Sequence, residues 1–215
     1  MTETNQKILD MVLKNASVNE ICAHTGLSSK QLFHRLNMLK IKGFNFSRKY
    51  YSDGEICYKL DKGFVYDKEV SLITKPTENE IKMVFLSDLH LCSEKQRLDL
   101  LNQVYELCAK EGIHVIINGG DLIDGLFGPS KKMFDNYEKQ IEYAIKNHPF
   151  DKNILNFICL GNHDYASLAK TGQDLETALN NKRHDIIPLG YGHGKLNIKN
   201  DQIIVIHKDT PIENN

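Results

Sequence analysis

The chain has 215 residues, 41% of them hydrophobic and 26% charged, enough for one or two domains with a packed core. No apolar run approaches the ~18 residues of a membrane-spanning helix, and the opening MTETNQKILD lacks signal-peptide character. Five cysteines, at 22, 57, 92, 108 and 159, form no CxxC pair; they read as reduced thiols and point to a cytoplasmic protein without a membrane partner. The net charge of −1 conceals an asymmetry, +4 over residues 1–65 and −5 over 66–215, which suggests two modules with different partners.

In chain order, NQKILDMVLKN (5–15) places Ile8, Leu9, Val12 and Leu13 on one helical face. Ser17 and Glu20 form a capping-box pattern that starts a second helix, and Gly26 can end it in a left-handed conformation. A second box, Ser28-x-x-Gln31, starts a third helix, with Leu32, Phe33, Leu36, Leu39 and Ile41 inward and Gly43 as its stop. Two strand-like runs then flank Asp53-Gly54, a hairpin signal. Three helices and a hairpin resemble a winged-helix domain, taken here as residues 1–62. That resemblance implies DNA as a partner. The third helix would enter the major groove, with Lys30, Gln31, His34, Arg35 and Asn37 outward and Arg48 and Lys49 near phosphates. Winged helices also dock proteins, so both uses stay open. Residues 63–80, with Lys75-Pro76-Thr77, read as a linker.

Past the linker, IKMVFLSDLHL (81–91) is an apolar strand whose end carries Asp88 and His90. In extended chain, residues two apart point the same way, so both can aim at one point. A carboxylate and an imidazole there make half of a divalent-metal site. The pattern recurs in IHVIINGGDLID, ending at Gly120-Asp121, and in ILNFICLGNHD, ending at Gly161-Asn162-His163-Asp164. QIIVIHKD supplies His207. Helices are expected over 96–112 and 131–148, so strand–helix–strand units imply parallel pairing, with ligands beyond the strands' carboxyl ends.

Asp88-x-His90, Gly120-Asp121, Gly161-Asn162-His163-Asp164 and the separate His207 resemble the calcineurin-like metallophosphoesterase family, over residues 81–215. The resemblance implies an α/β fold (α+β overall) in which the winged helix precedes a partial αββα sandwich. It implies two divalent metal ions (Mn, Fe or Zn), with Asp88 and His90 on the first, Asp121 bridging, and Asn162 and His207 on the second. His163 would be no ligand but would protonate the leaving oxygen, with Asp164 orienting its ring. The reaction would be hydrolysis of a phosphomonoester or phosphodiester by a metal-activated hydroxide.

The family's closing Gly-His-x-His is not found after His207, and Gly192-His193-Gly194-Lys195 stands too early and lacks the second histidine. The second sheet of the sandwich is therefore expected to be absent. A C-terminal complementing segment or chain is an expected partner, and the isolated chain is expected to be weakly active. The rival reading is a DNA-binding or protein-interaction module with a vestigial esterase. Asp124 is read as a brace for the loop after Asp121, and Cys92 as a buried thiol.

Overall fold

The computed structural model describes residues 2–42, 44–61, 70–74, 80–127 and 131–208. Gly43, the side chain of Ile41 and most of the expected linker lie outside the described residues.

Helix α1 (Glu3–Leu13) starts earlier than the expected residue 5, capped by Thr2, whose side chain accepts from Asn5 N–H, whereas α2 (Val18–Thr25) and α3 (Ser29–Ile41) form where the caps predict. The Ser17 hydroxyl accepts from Glu20 N–H at 3.3 Å, and the Glu20 carboxylate accepts from Ser17 N–H at 2.8 Å. Ser28 and Gln31 repeat the arrangement on α3. Gly26, at φ +71°, closes α2. Ile8, Val12, Ile21, Leu32, Phe33 and Leu36 are buried in one apolar cluster.

The hairpin also forms, as β1 (Asn45–Tyr51) and β2 (Ile56–Asp61). Its outer edge is not free. β1 pairs in parallel with β3 (Val70–Ile73), and β3 in parallel with β8 (His193–Ile198), which pairs antiparallel with β9 (Asp201–Ile206). The result is a five-stranded sheet, β2-β1-β3-β8-β9. A second sheet is thus present where none was expected, because the N-terminal hairpin and β3 supply three of its strands. The first sheet is β4 (Met83–Leu86), β5 (Val115–Asn118), β6 (Leu155–Leu160) and β7 (Ile186–Tyr191), in that order and all parallel. A parallel sheet needs cover on both faces. Val115, Ile117, Leu155 and Phe157 share the apolar cluster of the N-terminal elements. Tyr50 of β1 meets Phe157 of β6 edge-on at 5.7 Å, a direct contact between the sheets.

The alternate residues face helices. Ile116 packs with Leu101, Tyr105 and Cys108 of α4 (Leu98–Glu111). Ile158, Leu160 and Ile186 pack with α5 (Tyr137–Asn147), α6 (Asn162–Thr171) and α7 (Leu175–Lys182). α5 begins later than the expected residue 131. Asn136 caps it, accepting from Lys139 N–H at 2.9 Å, while Lys132 bridges to Ser93 and Met133 N–H donates to the Cys92 carbonyl. The N-terminal helices touch this layer as well. The His184 ring lies 5.4 Å from Phe33 and 5.5 Å from Phe150, and Asn37 donates to the Asn181 carbonyl at 3.2 Å. No described helix is long and apolar enough to cross a membrane.

A buried polar knot closes the end of α5. Arg183 donates to the carbonyls of Ile145, His148 and Pro149 and pairs with Asp185. His148 lies beneath it, 3% exposed, and burial, reinforced by the Arg183 charge, lowers its pKa to about 4. The native ring stays neutral, whereas the unfolded ring takes a proton near its ordinary 6.5. The unfolded state therefore gains protons first, and stability present above pH 6.5 is lost as pH falls toward 4. We expect His148→Gln to flatten the fall in melting temperature across this window. An acid limb as steep as the wild type's in thermal melts would remove His148 as its source.

Candidate metal centre

Strand β4 stops at Leu86, and β5 at Asn118, but the two chains stay side by side. Gly119 N–H donates to the Leu86 carbonyl, Asp88 N–H to Gly120 and His90 N–H to Asp121, each within 2.9 Å. Asp88 and His90 are not extended as expected. Their φ angles are +56° and +40°, and Asp121 is also left-handed at +52°. Each such residue costs on the order of 1–3 kcal/mol and persists only where neighbours enforce it. Here the paired main chains do so, and they still turn both side chains into one cavity of about 510 Å³. Ser87, Asp88, His90, Asp121, Asn162, His163, His207 and Lys208 are among the residues that line it.

Asp121 lies at the centre and is 3% exposed. Its Oδ2 is 3.3 Å from His207 Nε2, 3.7 Å from His90 Nε2 and 4.0 Å from His163 Nε2. His90 Nε2 is also 3.8 Å from Asp88 Oδ1. Glycines permit this crowding. A Cβ on Gly161 would collide with the Asp121 carboxylate, and one on Gly120 would stand 2.6 Å from His207 Nδ1.

The ring nitrogens show what the cluster can hold. His207 Nδ1 is 2.8 Å from the Gly119 carbonyl, an oxygen that can only accept, so this nitrogen carries the proton. In the neutral ring, Nε2 then presents a lone pair to Asp121 and to Asn162 Oδ1 at 3.1 Å. His163 repeats the arrangement, with Nδ1 donating to the Asp124 carbonyl at 2.6 Å and Nε2 turned to Asp121. Lone pairs converging on a buried carboxylate repel one another unless positive charge lies among them. Imidazole and carboxylate donors suit Mn²⁺, Fe and Zn²⁺. Among the described residues, two groups of donors lie close enough to hold an ion: His90, Asp121 and His163, and Asp88, Asp121 and His207. Asp121 belongs to both.

A family profile described as calcineurin-like phosphoesterase matches residues 81–214. The chain belongs to this family. No match is found among curated proteins.

One cavity gathers the five residues expected as ligands, Asp88, His90, Asp121, Asn162 and His207. His163, expected as a non-ligand, has its Nε2 farther from Asp121 Oδ2 than His207 and His90 have theirs. Asp164 does not orient the His163 ring; that falls to the Asp124 carbonyl. Both Asp164 oxygens are taken by main-chain N–H groups of Leu122, Ile123 and Gly161, which ties α6 to the loop after β5. Burial pushes the Asp164 carboxyl up to about 6, against the pull of those three bonds. Cys92 is buried, its thiol raised to about 12 by burial, and it donates to the Gln140 carbonyl. Phe127 was unforeseen; its ring lies 4.8 Å from that of His163, with Lys170 over its face. No spacing pattern announces such a contact.

The residues considered for DNA divide in two. Lys30, Gln31, His34 and Lys49 are exposed. Arg35 donates to Asn5 at 3.1 Å, and Arg48 turns inward to Asn180 of α7 at 3.2 Å.

Because a Cβ on Gly161 would run into the Asp121 carboxylate, we expect Gly161→Ala to weaken Mn²⁺ binding about tenfold or more while the fold survives. Calorimetric titration with a circular-dichroism control checks this; undiminished affinity would show that Asp121 has room to move.

Proposed function

We propose that this chain hydrolyses phosphoesters, and the observation that carries the proposal is the sharing of Asp121 by two candidate ion groups. A carboxylate, with its negative charge, can hold two cations close together, and Asp121 stands where the two groups meet. When bound, paired divalent ions supply Lewis acidity and a water acidic enough to attack phosphorus. Asp88, His90, Asn162 and His207 would complete the two positions. His163, when it carries a second proton on Nε2, would give that proton to the leaving oxygen, since Nδ1 is held by the Asp124 carbonyl and Nε2 faces the cavity. Lys208 at the rim would attract the phosphoryl group. Further donors would come from water, substrate oxygens or a complementing segment. β9 is where such a segment could pair: it ends the sheet among the described residues, with Ile204 and Ile206 exposed.

A nucleic-acid phosphodiester is a fitting substrate class because α3 exposes Lys30, Gln31 and His34 while its opposite face is buried. Salt-dependent binding to a duplex, weakened by Lys30→Glu, is the expected result. Binding that ignores both salt and this change would reassign α3 to protein docking or to the core alone.

The hydrolytic reading is tested with Mn²⁺ and paired substrates. Asp121→Asn should lose metal and activity together. His163→Asn should slow an alkyl phosphoester about 10²–10⁴-fold, and a nitrophenyl ester far less, because that leaving group needs no proton. Equal losses on both substrates would assign His163 to metal binding instead.

A further inference from the structure

Outside the metal centre, two buried polar groups lack partners at the place where the N-terminal hairpin meets α7. Arg48 and Tyr58 stand directly opposite each other on β1 and β2, so their side chains share one face of the sheet. That face is turned inward. Tyr58 is 3% exposed, and Tyr50, two residues beyond Arg48, packs on Phe157. Arg48 Nη2 donates to Asn180 Oδ1. Arg48 Nη1 is buried and has no hydrogen-bond partner, and the buried Tyr58 hydroxyl has none either. Native proteins rarely leave one such atom unmet, and here two lie on neighbouring side chains.

The charge at this place is one-sided. Among the described residues no carboxylate pairs with Arg48, and the titratable neighbours that bear on its charge are Tyr50 and Tyr58. Asp185, a buried acid just beyond α7, is already paired with Arg183. Partial burial, and then the Arg48 charge, lower the pKa of Lys40 on α3, so a second cation stands close by. Burial raises the pKa of Tyr58, so its hydroxyl keeps the proton it can donate. The ring of Phe46 meets that of Tyr58 edge-on at 6.4 Å and supplies an apolar wall. A water would meet the free donors but leave the guanidinium charge uncompensated, and an unpaired buried charge is costly. Donors beside uncompensated positive charge select an anion. An enclosed place selects a small, singly charged one, because a doubly charged oxyanion gives up far more hydration.

We propose that Arg48 and Tyr58 hold a chloride ion between the N-terminal hairpin and α7. Arg48 Nη1 and the Tyr58 hydroxyl donate to it, while Nη2 stays on Asn180. The ion neutralises the guanidinium and ties the hairpin to the helix, so the attachment of the N-terminal elements to the phosphoesterase layer depends on chloride. The proposal stands apart from the metal-centre reading.

The test uses the full chain, with bromide as the heavier stand-in for chloride. Crystals grown in sodium bromide should show an anomalous peak within hydrogen-bond reach of Arg48 Nη1 and the Tyr58 hydroxyl. A water at that position, without anomalous signal, would overturn the proposal. In solution, thermal melts follow the replacement of sodium gluconate by sodium chloride at constant ionic strength. Wild-type stability should rise with chloride and level off, as it does when a ligand binds the native state alone. Tyr58→Phe keeps the ring and Arg48 but removes one donor, and it should raise the half-saturating chloride concentration about tenfold. Arg48→Met should abolish the response; should that variant not fold, Tyr58→Phe decides. A wild-type melting temperature indifferent to the exchange, or an unshifted midpoint in Tyr58→Phe, would sink the proposal.

Discussion

A buried carboxylate surrounded by imidazole lone pairs is the constraint on which this site depends. Asp121 has almost no contact with water, and an isolated buried anion is costly. The neighbourhood is built around that cost. Gly120 and Gly161 vacate the space that side chains would fill, and Asp88, His90 and Asp121 adopt left-handed backbone to bring their groups to bear. His207 and His163 turn their Nδ1 atoms to carbonyls, which leaves Nε2 of each ring facing Asp121. Without positive charge at the centre, these arrangements oppose one another; with it, each supports the rest.

The scaffold delivers this arrangement by bringing separate chain ends to one rim. The loops after β4, β5 and β6 come from the parallel sheet, whereas His207 arrives from β9 on the other sheet. Its N–H donates to Gly192, and Gly192 N–H donates to Leu160 at the end of β6, so the two sheets are pinned beside the site. The N-terminal hairpin is part of the same assembly through β3, and the helices before it share the apolar cluster between the sheets.

Much of this was legible in the residues. Capping boxes at Ser17 and Ser28 act locally, through groups three residues apart, and both formed. Apolar runs ending in Asp, Gly-Asp or Gly-Asn-His marked the strands and the rim, because nothing in a buried strand asks for such groups. Other features depended on distant partners. The second sheet needs Tyr50 beside Leu72 and Leu72 beside Ile198, a pairing that no local pattern reveals. Left-handed backbone at Asp88 and His90 is imposed by the neighbouring loop rather than by residue type. Asp164 was misjudged because its sequence proximity to His163 suggested contact, whereas helix α6 turns it away to the main chain of residues 122 and 123.

The parallel pairing of β3 with β8 has a consequence for the order of assembly. Val70 must wait for Leu196, so during synthesis most of the chain emerges before this ladder can close. Contacts of such span are slow to form, since loop entropy is lost before they reward it. The helices and the hairpin can gather early around local contacts, but the rim that holds His207 is completed among the last events. The competent pocket is therefore a late product of folding, and the edge of β1 is open to wrong partners until then.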